Sequence, residues 1–445
     1  MSEHHTAEPP AGGTSRRDFL RVAGAAGVAI GITGATAACA TDSGANTGAA
    51  ATDAAAAGTS TGASWSTLPI GTFTSGTPLG ADEMRISFLG TSFLPRLSQE
   101  CNSIFVELGN GDTFVFDYGS GVSAKYTAYG VTPAKQTKVF ITHLHGDHTS
   151  DLITLYCFGP SQDRKTPLYL YGPSGPNPDE GMNTFGATLK ALMKWHEESF
   201  SFLPTGLVGQ GDGYDIITTE LPYMDVGGVA YDENGVTITH FPAVHARDGA
   251  ISYKLAWNGL SMIFSGDTRP NNYLLEQGAG VDVLIHEMVV PPDIWAGKNS
   301  GLQPGDAGWD QAVNTAESVQ ESSHTPQKAL GYILSQTQPR LGIATHFQVN
   351  SDTIDQAVAD VQSWYPGAFA VATDLLVCTV SKDALNLAQV AVDDFAWYPP
   401  PVMYPQSELS PPKYPSPTAQ LNQTLLDSVI PDTIYDAPPS ATPSA

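Results

Sequence analysis

Apolar and polar residues alternate in short runs through the middle of this chain, with breaks rich in Gly, Pro and Asn between them. Such period-two runs predict half-buried strands. They begin near Met84, where residues 85–89 lead into Gly90-Thr91. Ser103–Leu108 and Thr113–Phe116 predict a hairpin turning at Gly109-Asn110-Gly111-Asp112. Residues 139–142 form a β-branched and aromatic run, the mark of a buried strand, and residues 166–171 a further one. Residues 182–198 change to a helical pattern carrying Leu189, Leu192, Met193 and His196, and otherwise 160–232 is poorly patterned. The Gly-rich span 206–213 is expected to be a mobile loop over a pocket. Alternation returns at 236–241, at 251–257 with 261–264 about Asn258-Gly259, at 282–287 and at 340–344. A helix is predicted over 327–336, capped by Thr325 with Pro326 in its first turn.

Outside this patterned region the composition changes. Ser15-Arg16-Arg17-Asp18-Phe19-Leu20-Arg21 precedes a Gly/Ala-rich apolar run over 22–38, a close match to a twin-arginine export signal. That run is short and weakly apolar for a spanning helix. Thr36-Ala37-Ala38-Cys39 resembles a lipoprotein cleavage box, with Thr36 where an aliphatic residue is usual. Lipidation of Cys39 is the expectation, and ordinary cleavage after Ala35-Thr36-Ala37 is the alternative. The organisation predicted is a signal over 1–39, a flexible Ala/Gly/Ser/Thr linker over 40–80, one domain over 81–397 and a Pro-rich tail over 398–445. Cys101, Cys157 and Cys378 sit in apolar surroundings and are expected as buried thiols. The chain carries 45 acidic and 20 basic residues, a net charge of -25. Such acidity offers few cations for a phosphate backbone, so the partner expected is a small-molecule ester and not nucleic acid. A membrane is expected only through Cys39, and localisation in the envelope, periplasm or medium.

The chemistry is concentrated directly after the strand predicted at 139–142. His143, His145, Asp147 and His148 fall within six positions. Imidazole and carboxylate are the donors that divalent first-row metals prefer, zinc above all. Gly146 is expected to turn the backbone sharply there. Four donors spaced so tightly cannot all face one tetrahedral ion. Two ions satisfy them, with His143 and His145 on one, and Asp147 and His148 on the other.

His-x-His-x-Asp-His resembles the signature of the metallo-β-lactamase superfamily. Over about residues 84–380 the chain is similar to one branch of it, ribonuclease Z and the related exported arylsulfatase-like and phosphodiesterase-like hydrolases. The resemblance rests on Leu89-Gly90-Thr91, Phe116-Asp117-Tyr118-Gly119, Val244-His245, Phe264-Ser265-Gly266-Asp267-Thr268-Arg269, Leu284-Ile285-His286-Glu287, Ser323-His324-Thr325 and Ala344-Thr345-His346. It implies an α/β fold, a four-layer αββα sandwich of two mixed sheets flanked by helices. It also implies two Zn²⁺, one held by His143, His145 and His245, the other by Asp147, His148 and His346, with Asp267 bridging. Asp117 would buttress the metal loop, Asp147 would take up a proton from the attacking water, and His324 would act as general acid. His286 with Glu287 would stand behind a ligand or against the substrate, and His286 is counted with Asp147 and His324 among the catalytic residues. Two features depart from the branch. The basic tRNA-gripping arm is absent between His245 and Asp267, and one residue fewer follows His324.

The function expected is an exported dinuclear zinc hydrolase that uses a zinc-generated hydroxide on a small phosphate or sulfate ester. A ribonuclease Z-type tRNA endonuclease and a lactonase are the alternatives. Zinc β-lactamases lack the bridging aspartate, and the diiron oxidoreductases of this fold carry Glu where this chain has His145. His240 alternates away from the site and His196 lies on the helix at 182–198, so both are expected to be structural.

Overall fold

The alternating runs fold into two mixed β-sheets in the computed structural model, which describes residues 65–200, 211–393 and 396–397. In chain order, β1 (Ile70–Phe73), β2 (Met84–Gly90), β3 (Ser103–Leu108), β4 (Thr113–Phe116), β5 (Lys138–Phe140), β6 (Leu168–Pro173) and β7 (Ile216–Leu221) belong to the first sheet. The second holds β8 (Gly228–Glu233), β9 (Val236–Pro242), β10 (Ile251–Trp257), β11 (Leu260–Phe264), β12 (Val283–Glu287), β13 (Leu341–Thr345) and β14 (Phe369–Val371). The chain then returns to the first sheet with β15 (Leu376–Val380) and β16 (Leu385–Val390). The strand orders are β1-β16-β15-β2-β3-β4-β5-β6-β7 and β14-β13-β12-β11-β10-β9-β8.

The sheets pack face to face through large side chains from both: Phe116 lies 6.3 Å from Phe264 and 5.8 Å from Tyr253 between ring centroids. The outer face of the first sheet is covered by the helices Val122–Tyr129, Leu152–Phe158 and Met182–Leu192. Asn272–Gly278, Gln327–Thr337 and Ile354–Gln362 cover the second. This is the αββα sandwich expected from the sequence. Central strands are therefore buried on both faces, as in β12, where every residue from Val283 to Glu287 is inaccessible. The β10–β11 hairpin turns at Asn258 (φ 50°) and Gly259 (φ 76°), the pair of left-handed residues that a two-residue turn requires. Cys101, Cys157 and Cys378 are buried free thiols.

Several sequence expectations are corrected here. The ordered domain begins well before residue 81, because β1 pairs in parallel with β16, and Leu68 and Ile70 pack on the core. The helix at 327–337 has Pro326 and not Thr325 at its cap position, without a side-chain cap. The Thr325 hydroxyl donates instead to the Thr268 carbonyl at 2.7 Å. The helical span at 182–198 is two helices, Met182–Leu192 and Lys194–Phe200, broken at Met193. Helices Pro292–Ser300 and Trp309–Ser323 were not anticipated. The signal, Cys39, the tail and residues 206–210 of the expected mobile loop lie outside the described residues. Among the described residues no helix is long and apolar enough to cross a membrane.

Candidate metal centre

In the second sheet β11, β12 and β13 run parallel, and β9 runs the same way because β10 reverses direction twice between β9 and β11. Their C-terminal ends therefore share one edge. His245 follows β9, Asp267 follows β11, Glu287 ends β12 and His346 follows β13. From the first sheet, parallel strands β4 and β5 bring Asp117 and the His143–His148 loop to the same edge. Seven side chains so delivered converge as two groups of donors, each with atoms within 4.8 Å of one another. One is His143, His145, His245 and Asp267, and the other Asp147, His148, Asp267 and His346.

Asp267 is common to both. Its Oδ2 lies 3.9 Å from Nε2 of His143 and of His245, and 3.2 Å from His346 Nε2. Oδ1 lies 3.3 Å from His148 Nε2. In the first group His145 Nδ1 stands 3.0 Å from His143 Nε2 and 3.1 Å from His245 Nε2. In the second, Asp147 Oδ2 is 3.3 Å from Nε2 of both His148 and His346. Donors about 2.0–2.1 Å from a tetrahedral ion stand roughly 3.3 Å apart, so this spacing suits a divalent cation.

The outer nitrogens agree. His245 Nδ1 donates to the Ser323 carbonyl at 2.8 Å, and His148 Nδ1 to Asp117 Oδ2 at 2.6 Å. A carbonyl or carboxylate can only accept, so Nδ1 carries a hydrogen and Nε2 is the nitrogen that faces inward, where a cation would meet it. The buried Asp267 Oδ1 makes no hydrogen bond, a deficit that a cation would remove. The donor set thus fits divalent metal ions.

Asp117 buttresses the loop. It accepts from the Thr142 N–H and hydroxyl, both at 2.8 Å, and from His148. Burial pushes its carboxyl up, while these three donors require the ionised, accepting form. Asp117 and His346 both hold left-handed backbone, φ 56° and 59°, which is strained for non-glycine residues and recurs at functional sites. Gly266 (φ 57°) lies against Thr142, whose Cβ would be 2.6 Å from an added methyl. At Gly119 a methyl would run into the Asp147 carbonyl oxygen. Gly146, by contrast, has open space around it and begins the short helix Gly146–Thr149, so the sharp glycine turn expected there does not occur.

The electrostatics follow from packing histidines among buried carboxylates. Burial and the neighbouring His148 hold His143 neutral, well below the usual imidazole range. Burial opposes charge on His148 and His346, yet Asp267, Asp117 and Asp147 outweigh it. His148 is held well above its ordinary value and His346 is pushed up to about 10. Burial likewise resists ionisation of Asp147 and Asp267, but the same imidazoles hold both carboxyls well below their usual range. His245 is lowered, chiefly by burial.

A cavity of about 300 Å³ opens beside the donors, and His145, Asp147, His245, Asp267, His346 and His324 reach it. His324 Nδ1 donates to Glu287 Oε1 at 3.0 Å, the oxygen that also accepts the Thr268 N–H at 2.9 Å. Burial is outweighed by Glu287, which raises the His324 pKa. Glu287, His324 and His346 form a third convergent donor group, so His324 lies nearer the ligands than the sequence implied. His286 does not reach the cavity. It is fully buried with Nδ1 donating to the Glu287 carbonyl at 2.7 Å, which moves it from the expected reacting groups to the shell behind them. His240 Nε2 donates to the Pro222 carbonyl and His196 Nε2 to that of Cys157, both away from the donors.

Buried His286 carries a testable consequence. Burial lowers its pKa to about 4, below the ordinary 6.5. A depressed folded-state pKa gives stability that is present above pH 6.5 and is lost as pH falls toward 4, worth about 3 kcal/mol. His286→Gln is expected to flatten that part of a denaturant-midpoint-against-pH curve, whatever it does to stability at pH 8. An unchanged slope would mean that His286 does not titrate in this window.

Residues 99–156 match the model of the metallo-beta-lactamase superfamily. Over 220 residues the chain is 31% identical to the ribonuclease Z of Mycobacterium bovis (strain BCG / Pasteur 1173P2), covering 46% of this chain and 70% of that protein. This chain belongs to the metallo-β-lactamase superfamily. The ribonuclease Z of Methanothermobacter thermautotrophicus is 25% identical over 253 residues, 46% of this chain and 74% of that one. The metallo-beta-lactamase fold protein YhfI of Bacillus subtilis is similar in structure, with a TM-score of 0.47 and 15% identity, covering 67% of this chain and 100% of that chain.

Membership of this superfamily, together with the donor set, makes the chain a metallo-β-lactamase-fold hydrolase with divalent-metal ligands. The relatives also overturn one expectation. Nucleic acid was excluded on acidity, yet proteins about a third identical are ribonucleases. Net charge sums the whole surface, whereas the potential that meets a phosphate is set locally. Among residues the sequence left unassigned, Thr268 matters most. Its hydroxyl accepts from the Val244 N–H at 2.9 Å and its carbonyl accepts from Thr325. It thereby joins the loops of His245, Asp267 and His324. The sequence placed it in the Phe264–Arg269 motif beside Asp267, without a role of its own.

Proposed function

We propose that this chain is a dinuclear zinc phosphodiester hydrolase, with RNA among the substrates to be tested. The observation that carries this reading is Asp267, one carboxylate shared between two donor groups, each of which fits a divalent cation. His143, His145, His245 and Asp267 would hold one ion, and Asp147, His148, His346 and Asp267 the other. When bound, a pair of Zn²⁺ supplies a more acidic water at neutral pH and positive charge against the ester oxygens.

The chain's own residues do the rest. Asp147 borders the cavity and accepts the proton released on attack. His324 also borders it and donates a proton to the departing oxygen, with its ring fixed by Glu287. The name of the mycobacterial relatives favours a phosphodiester over a sulfate ester or lactone.

The test is a panel on zinc-loaded protein: a bis-aryl phosphodiester, an RNA with a 3′ extension, an aryl sulfate and a lactone. Turnover of one or both phosphodiesters is expected. Turnover confined to the sulfate or the lactone would reject the proposal.

A further inference from the structure

The cavity beside the donor groups has two unlike walls. One carries the converging histidines and carboxylates with His324. The other is built from Phe93, Val289, Val290, Trp295 and Val319. The polar groups within that second wall are turned into it. The Gln320 amide donates to the Val290 carbonyl at 2.8 Å, and the Ser323 hydroxyl to the Val319 carbonyl at 2.7 Å. No Lys or Arg is among the described residues that line the cavity. A second cavity of about 300 Å³, which His145 and His245 also line, carries Arg247, Glu180 and Asp248 instead.

A general acid must lie on the side where the leaving oxygen departs. His324 lines the first of these cavities and not the second. We propose that the cavity under helices Pro292–Ser300 and Trp309–Ser323 is the leaving-group subsite, and that it selects an alcohol carrying a flat aromatic ring or an apolar group of similar size. This rests on the hydrolase reading above. The subsite gains by removing apolar surface from water, and offers a charged or hydroxyl-rich leaving group nothing to bind. A nucleobase and a simple aryl group both present the flat ring, and substrates separate the two.

Three methyl phosphodiesters are compared on zinc-loaded protein, with methyl, benzyl and 5′-nucleoside leaving groups. Methyl and benzyl alcohols are of similar acidity, so their ratio reports binding. The benzyl diester is expected to exceed the methyl diester in kcat/KM by roughly tenfold to a hundredfold. Trp295→Ala should shrink that ratio more than Trp295→Phe. Val319→Asp, which places a carboxylate on a half-exposed helix position, should shrink it without touching the core. A nucleoside diester as good as the benzyl diester identifies the ring as a base, and a poorer one identifies a plain aryl group. Benzyl alcohol is also titrated against metal-free protein, following tryptophan fluorescence that Trp295→Phe removes. Equal kcat/KM for benzyl and methyl diesters overturns the subsite. If no diester is hydrolysed, the hydrolase reading fails by itself, and the titration still decides: saturable quenching supports an apolar ring site, and none rejects it.

Discussion

Asp267→Ala is expected to leave a folded protein that no longer retains two zinc ions and hydrolyses phosphodiesters at least about a hundredfold more slowly. Of the seven donors only Asp267 belongs to both ion groups, through Oδ1 toward His148 and Oδ2 toward His143, His245 and His346. Without it, five imidazoles remain packed with one carboxylate, Asp147, between them. The rings of His143 and His148 are only 4.2 Å apart between centroids. Elemental analysis should find close to two zinc ions per wild-type chain and fewer in the variant. A variant that keeps both ions and wild-type rates would remove Asp267 from its shared position.

His324→Ala should fail differently. Both ions are expected to stay, while esters of weakly acidic alcohols lose roughly 10²–10⁴-fold and nitrophenyl esters are largely spared. The geometry behind this is the 3.0 Å hydrogen bond from His324 Nδ1 to Glu287, which fixes the ring at the cavity edge. An activated leaving group needs no proton, so comparing alkyl and nitrophenyl diesters at matched zinc content isolates proton donation. Equal loss on both with metal retained would make His324 a positioning residue. Loss of an ion would make it a ligand, in line with its convergence on Glu287 and His346.

How much of this was legible depended on distance along the chain. Four of the donors sit within six positions after a strand, so residue type and spacing were enough. His245, Asp267 and His346 lie far apart in the chain and were implied by the family resemblance, each one to three residues past the end of a strand. Helices Pro292–Ser300 and Trp309–Ser323 were not. Their buried residues are Ala296 in the first, and Ala316, Gln320 and Ser323 in the second. The first writes no apolar stripe, so the periodicity that reveals other helices is silent there, and the second is amphipathic but buries only small and polar residues. For the same reason Trp295 and Val319 gave no sign that they line a cavity. The start of the domain was misjudged because β1 is a four-residue edge strand, Ile-Gly-Thr-Phe, in surroundings rich in Gly and Thr.

The sequence by itself determined the sandwich and the donor types, since strand alternation and ligand chemistry are local properties. It could not determine which nitrogen of each histidine faces inward, or which wall of the cavity is apolar. His245 is oriented by a carbonyl 78 residues away, and His148 by a carboxylate 31 residues away. A ring's tautomer follows the acceptor on its far side. That acceptor is supplied only by the fold, at the end of β4 for His148 and at the end of helix Trp309–Ser323 for His245.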